Sequence, residues 1–101
     1  MNIKDRIYKE LKYVFDPEIG ANIVDLGLVY DVEVTEDGSA RISLTFTTDD
    51  IIQQKRLCAG VKFAVSSLGI VKNVEVVKKE TVKWTTQMMN EELKKDLIGI
   101  N

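Results

Sequence analysis

The chain has no histidine, one cysteine and one proline in 101 residues. Without imidazole, a Ser-His-Asp triad, a Cys-His pair and the usual Cys/His zinc site are excluded. A lone thiol also excludes an intramolecular disulfide and any multi-cysteine metal knot within one chain. Enzymatic readings are left with Asp, Glu, Lys, Tyr or Cys58, and no convergent acid/base pair is visible, so an enzyme is not expected. Long hydrophobic runs are missing as well. None approaches the ~20 residues of a membrane span, and the start MNIKDRIYKE has neither the apolar stretch nor the cleavage pattern of a secretory signal. A membrane is therefore not an expected partner, and the expected location is the cytoplasm. Positive charge is not in excess either. A net charge of −2 and a pI near 5.1 supply no general attraction to phosphate backbones, so nucleic acid is not expected as a partner.

What is present is ordinary globular composition, 45% hydrophobic and 30% charged, at the length of one domain spanning 1–101. NIKDRIYKELKYVF places Ile3, Ile7, Leu11 and Val14 on one stripe, which predicts an amphipathic helix capped by Asn2 with Asp5 in its first turn. The helix must end before Pro17, and DPEIG fits a turn or a single helical turn with Asp16 as cap and Gly20 as terminator. From Leu28 the period changes to two. Leu28, Tyr30, Val32 and Val34 form one face of a strand, Ala40, Ile42, Leu44 and Phe46 one face of the next, and Asp37-Gly38 is the hairpin turn.

A second helix is predicted from Asp49 to Leu68, with Leu57, Val61, Ala64, Val65 and Leu68 on its buried stripe and Gly69 as its stop. VKNVEVVKK reads as a third strand with Val74 and Val76 on one face. Met89, Leu93 and Leu97 mark a last helix, Thr86 its cap and Gly99 its end. The order α-β-β-α-β-α predicts an α/β (α+β) two-layer sandwich, a three-stranded sheet with helices on one face. If the second and third strands are neighbours they run parallel, joined by the second helix; if the third pairs with the first, the sheet is antiparallel throughout.

Asp16-Pro17-Glu18-Ile19, the run Ile23-Val24-Asp25-Leu26-Gly27-Leu28-Val29, the strand end Leu44-Thr45-Phe46-Thr47, and Trp84, Thr85 and Met88 together resemble the PaaD/SufT-like family of small iron–sulfur assembly domains. The resemblance covers nearly the whole chain. It implies the same α-β-β-α-β-α order and a noncatalytic accessory or targeting role whose partners are iron–sulfur assembly or client proteins, with a homo-oligomer also compatible; no cofactor is expected in a chain with no histidine and one cysteine. It implies in addition that Asp16, Glu18 and Asp25 match the family's acidic positions.

By the same resemblance, the threonine strand of the family leads through a turn to a Cys-Pro pair at the head of the second helix. Ile51 stands where that cysteine is expected and Ile52 where the proline is expected. A thiolate at a helix N-terminus is stabilised by unpaired N–H groups and the helix dipole, and an isoleucine offers nothing to a metal. Cys58 is seven residues further on, about 10 Å along the axis, which is too far to serve the same position. It reads as a small core thiol beside Leu57 and Val61, the alternative being a ligand of a cluster bridged between chains. Where relatives carry Asp-Pro-Pro-Trp, this chain has Thr81-Val82-Lys83-Trp84, with Trp84 either a lid on the core or an exposed anchor for a partner.

Asp49 and Asp50 after Thr48 read as the start of a helix, Thr48 the cap and the carboxylates favoured by the dipole, in preference to a metal or acid/base site. Asp16 and Asp25 read first as turn-making and loop-capping residues, the alternative being a polar partner-binding groove shared by Asp16, Glu18, Asp25, Thr47 and Thr48. Gly20 and Gly27 read as backbone-geometry residues. Lys72, Lys78, Lys79 and Lys83 read as a solvated, edge-protecting cluster. The competing reading of the whole chain is a diverged interaction or regulatory module with no iron–sulfur role.

Overall fold

The computed structural model describes residues 2–99. Helix α1 spans Ile3–Leu11, and the Asn2 side chain accepts the N–H of Asp5 at 2.8 Å, the expected cap. Ile7 and Leu11 are fully buried, whereas Ile3 is exposed and Val14 falls outside the helix. The reason is at Val14 itself: its carbonyl accepts the N–H of Ile23, which takes the chain out of the helix. Two short strands follow, β1 (Phe15–Asp16) and β2 (Ala21–Asn22), paired antiparallel around DPEIG, which makes the single helical turn expected: the N–H of Gly20 donates to the carbonyl of Asp16 at 2.8 Å, and Gly20 ends it at φ +76°. This ribbon was not anticipated, because two residues carry no periodicity.

The segment after β2 forms much of the floor of the molecule. Ile23, Leu26 and Leu28 are fully buried although they belong to no regular element. Each contributes on the order of 1.5–3 kcal/mol relative to exposure. Gly27 makes the descent possible. Its φ is +80°, and a Cβ there would land on the backbone of Met88, so both conformation and close approach require glycine.

Strands β3 (Val29–Val34) and β4 (Ser39–Leu44) form the predicted hairpin, with Gly38 at φ +89° in its turn. Thr35 and Ser39 frame that turn, and the Thr35 hydroxyl donates to the Asp37 carboxylate. One expectation is corrected here. The register shifts between Val29 and Asp31, and this bulge throws Tyr30 outward to 50% exposure, off the face it was predicted to share with Val32. Lys79 sits over the Tyr30 ring, 5.0 Å from its centroid. Phe46 lies beyond the end of β4 and is only half-buried.

Helix α2 (Ile51–Ser67) connects β4 to β5 (Asn73–Lys78), which lies parallel to β4 in the sheet order β3-β4-β5. The open question of strand order is thus resolved in favour of the parallel crossover. Val32, Ile42 and Val76 form one row across the sheet and Val34, Ala40 and Val74 another. Both α1 and α2 pack against the sheet and against each other, giving the predicted two layers. The opposite face carries the row Glu33, Arg41, Glu75, with Arg41 Nε donating to Glu75 Oε1 at 2.8 Å.

The last predicted helix is divided. Thr86–Met88 form a single 3₁₀ turn, and α3 begins only at Glu91 and runs to Ile98. Thr86 is therefore not its cap. Asn90 is, its side chain accepting the N–H of Leu93 at 2.8 Å while its own N–H goes to the carbonyl of Asp25. Met89 is buried but precedes the helix, and Leu97 is half-exposed, so the expected stripe Met89, Leu93, Leu97 is not one helical face. Gly99 does close the helix. No helix of the described residues is long and apolar enough to cross a membrane.

Candidate functional site

The end of β4 and the start of α2 build the junction from threonines, aspartates and two isoleucines. Thr45 is buried and its hydroxyl donates to the carbonyl of Val82 at 3.0 Å, which fixes the exit of the strand. Thr47 then turns toward the β1 turn and donates to Asp16 Oδ2 at 2.8 Å. Asp16 is only 4% exposed, and its other oxygen accepts the N–H groups of Glu18 at 2.8 Å and Ile19 at 3.1 Å. Three donors thus converge on one buried carboxylate, the condition under which a buried acid is tolerated.

The helix head is capped by Asp50, not by Thr48. Asp50 Oδ1 accepts the N–H groups of Ile52 at 2.9 Å and Gln53 at 3.3 Å. Thr48 acts one step earlier, its hydroxyl accepting the N–H of Asp50 at 3.1 Å. Asp49 therefore precedes the helix. Gln54, buried in the first turn of α2, returns Nε2 to the carbonyl of Thr48 at 2.8 Å. It was missed in the sequence, though it lies seven residues before Val61 and so on the buried stripe; a polar residue at a core position was the available signal.

The predicted residues fall into three sets. Asp16 and Thr47 are bonded directly, and Glu18 and Thr48 line the same narrow crevice with Pro17, Phe46 and Gln53. Thr48 also lines a neighbouring cleft of about 240 Å³, which it shares with Asp49, Lys83 and Trp84. Trp84 is half-buried against the core and donates Nε1–H to the carbonyl of Leu26 at 2.7 Å, so the lid reading fits its placement better than a free anchor. Asp25 stands apart from the crevice. It accepts from Asn22 Nδ2 at 2.8 Å, lies 3.8 Å from Lys12 Nζ, and holds α3 through its carbonyl, the contacts of a loop-capping residue. Ile51 and Ile52 stand on the lip of the junction at 59% and 64% exposure.

The donor set does not fit a resident metal or cluster in one chain. Among the described residues no group of three or more His, Cys, Asp or Glu side chains could hold a metal ion, and both oxygens of Asp16 already accept hydrogen bonds. Cys58 lies half-buried along α2, and burial pushes its thiol pKa up, away from the thiolate that metal binding requires.

Comparison with known proteins places this architecture. The profile of the iron–sulfur cluster assembly protein family matches residues 4–77. This chain belongs to that family. It is 39% identical to the Fe-S protein maturation auxiliary factor YitW of Bacillus subtilis over 88 residues, covering 87% of this chain and 86% of the relative. It is 32% identical to the Fe-S protein maturation auxiliary factor SufT of Staphylococcus aureus over 77 residues, covering 76% of this chain and 88% of the relative. The crystal structure of a domain of unknown function, DUF59, from Bacillus anthracis superposes with a TM-score of 0.87 at 32% identity, covering 98% of this chain and 93% of the other. The resemblance read from the DPEI, IVDLGLV and LTFT blocks is therefore borne out as to family and fold.

Proposed function

We propose that this chain is a noncatalytic accessory or targeting factor in the maturation of iron–sulfur proteins, working in the cytoplasm through contacts with assembly or client proteins at the β4–α2 junction. The names of its relatives support the accessory role. The observation that carries the rest is the exposed pair Ile51 and Ile52 at the head of α2, where the family resemblance leads one to expect Cys-Pro. An exposed isoleucine contributes nothing to the core. Covered by a partner it is worth on the order of 1.5–3 kcal/mol, which suits a contact surface and not a reactive centre. Asp16, Glu18, Thr47 and Thr48 shape the crevice beneath this lip, and Trp84 bounds the cleft beside it.

Anaerobic reconstitution with ferrous iron and sulfide, paired with affinity purification, tests the proposal. The expected results are no stoichiometric cluster absorbance on the isolated chain, and recovery of iron–sulfur assembly or client proteins that drops sharply with Ile51→Asp and Ile52→Asp. A cluster bound at one per chain or per dimer and abolished by Cys58→Ala would refute the claim that no thiol chemistry is involved. Consistent recovery of other partners, with iron–sulfur proteins absent, would replace the proposal with an interaction module unrelated to iron.

A further inference from the structure

Helix α2 is apolar on both sides. Its inner face buries Val61 and Val65, while on the outer face Ile52, at 64%, and Phe63, at 75%, stand in water with exposed Ala59 between them. At ~100° per residue, these three positions fall within about 40° of one another. A helix with a second, exposed apolar stripe opposite its buried one has an apolar surface left over, and the chain itself covers only the inner stripe.

The charges on this helix are all of one sign. It carries Lys55, Arg56 and Lys62 and no Asp or Glu, in a chain whose net charge is −2. None of the three takes part in an ion pair among the described residues. Beside Arg56, a groove of about 410 Å³ opens between α2 and the Val14–Pro17 segment, with Phe15, Leu57 and Gly60 in its lining. A Cβ at Gly60 would meet nothing within 4 Å. Glycine in a helix interior costs about 1 kcal/mol relative to alanine, and no contact within the chain calls for it here.

From these observations we infer that the outer face of α2 is a docking surface for an acidic amphipathic segment of another protein. At ~100° per residue, Arg56 and Gly60 flank the Ile52–Phe63 stripe on one side and Lys55 and Lys62 on the other. The segment therefore lies along the stripe, turns an apolar side chain on one edge into the groove beside Gly60, and opposes its carboxylates to Arg56 on that edge and to Lys55 and Lys62 on the other. This is the helix-in-groove mode, with charge fixing orientation and encounter rate. The α2 of a second copy is a poor occupant, because cations would face cations with no carboxylate between them. A lipid surface is also poor, since a flat bilayer leaves the concave groove unfilled. The inference rests on the reading that the chain works through protein contacts, and not on any role for iron.

The probe is a labelled peptide of about 16 residues, long enough for four helical turns, with leucines at i, i+4, i+7 and i+11 and glutamates flanking them. A counterpart carries lysine in place of each glutamate. Fluorescence anisotropy is expected to show the acidic peptide binding at least about tenfold tighter than the basic one. Amide shifts in NMR spectra should map to α2 and Val14–Pro17. The triple variant Lys55→Glu, Arg56→Glu, Lys62→Glu should invert the preference, and Phe63→Ser should weaken binding while circular dichroism stays unchanged.

Equal affinity for the two peptides, shifts on another face, or unchanged binding by the charge-reversed variant would overturn the inference. So would capture by phosphatidylserine vesicles that depends on Phe63, which would assign the face to lipid, or a dimer in sedimentation equilibrium that Phe63→Ser dissociates. Failure here with assembly proteins still co-purifying removes only this inference. Peptide binding without such co-purification removes only the maturation role.

Discussion

Asp16 and Ile51 lie at the same junction and are placed by opposite rules. The charged residue is 4% exposed and accepts three hydrogen bonds; the apolar one is 59% exposed and stands on the lip of the junction. The first region, from Val14 to Leu28, is closed upon itself by the β1–β2 ribbon and the Asn22–Asp25 bond, and is held against the Thr86–Met88 turn by the approach of Gly27 to Met88. The second, from Thr48 to Gln53, satisfies its backbone through Thr48 and Asp50 and leaves the side chains of Asp49, Asp50, Ile51 and Ile52 in water. Polar groups kept inside and satisfied make a rigid base, and apolar groups kept outside on that base make a surface for another molecule.

The contrast can be broken most violently at Gly27. Gly27→Ala forces a Cβ onto Met88 at a positive φ, and urea unfolding should show a loss of about 3 kcal/mol or more, if the variant folds at all. Next comes Asp16→Ala. It strands the Thr47 hydroxyl and two backbone N–H groups, with an expected cost of about 2–3 kcal/mol by the same measurement. At the helix head, Asp50→Ala should cost about 1 kcal/mol as a lost cap. Thr48→Val, which removes only the bond from the Asp50 N–H, should cost less.

Smaller still is the effect of titrating Cys58. Burial raises its pKa above the ordinary 9.0, so the folded chain holds the proton more tightly than the unfolded one. Its contribution is complete below pH 9.0 and is lost as the pH rises through the folded value, so stability should decline on the alkaline side, and Cys58→Ala should flatten that part of the profile. Least of all is expected from Ile51→Ser with Ile52→Ser, which should leave the unfolding free energy within about 0.5 kcal/mol of the parent while reducing partner recovery. A large loss of stability in this last variant would show that the two isoleucines serve the fold and dissolve the contrast.

These regions also differ in how far they can be read from sequence. Leu57, Val61 and Val65 announce α2 by their spacing, and the alternation around Asp37-Gly38 announces the hairpin, because both signals are periodic and local. Ile23, Leu26 and Leu28 are equally buried and carry no period, since the chain crosses the core there without forming a regular element. Tyr30 was misplaced by the strict period of two, which one bulge is enough to break. Thr48 and Asp50 are both good caps two positions apart, and only the geometry of Ile52 and Gln53 selects between them. Within the candidate site, the Asp16–Thr47 bond joins residues 31 apart, so its members were recognisable by motif but their contact was not. Asp25 shared the motif and took a different place, because Asn22 and Asn90 are nearer claims on it.

The parallel pairing of β4 with β5 bears on the order in which the molecule assembles. The β3–β4 hairpin is local and of the kind that closes in about 1–10 μs. Strand β5 joins only after the chain has travelled the length of α2 and back, so that Ala40 meets Val74. Non-local pairings of this sort set the pace of folding. The rate should therefore be governed by when the inner face of α2 seats on the sheet, so that Val61→Ala slows folding, whereas substitutions on the outer face, Phe63 among them, leave the folding rate nearly untouched.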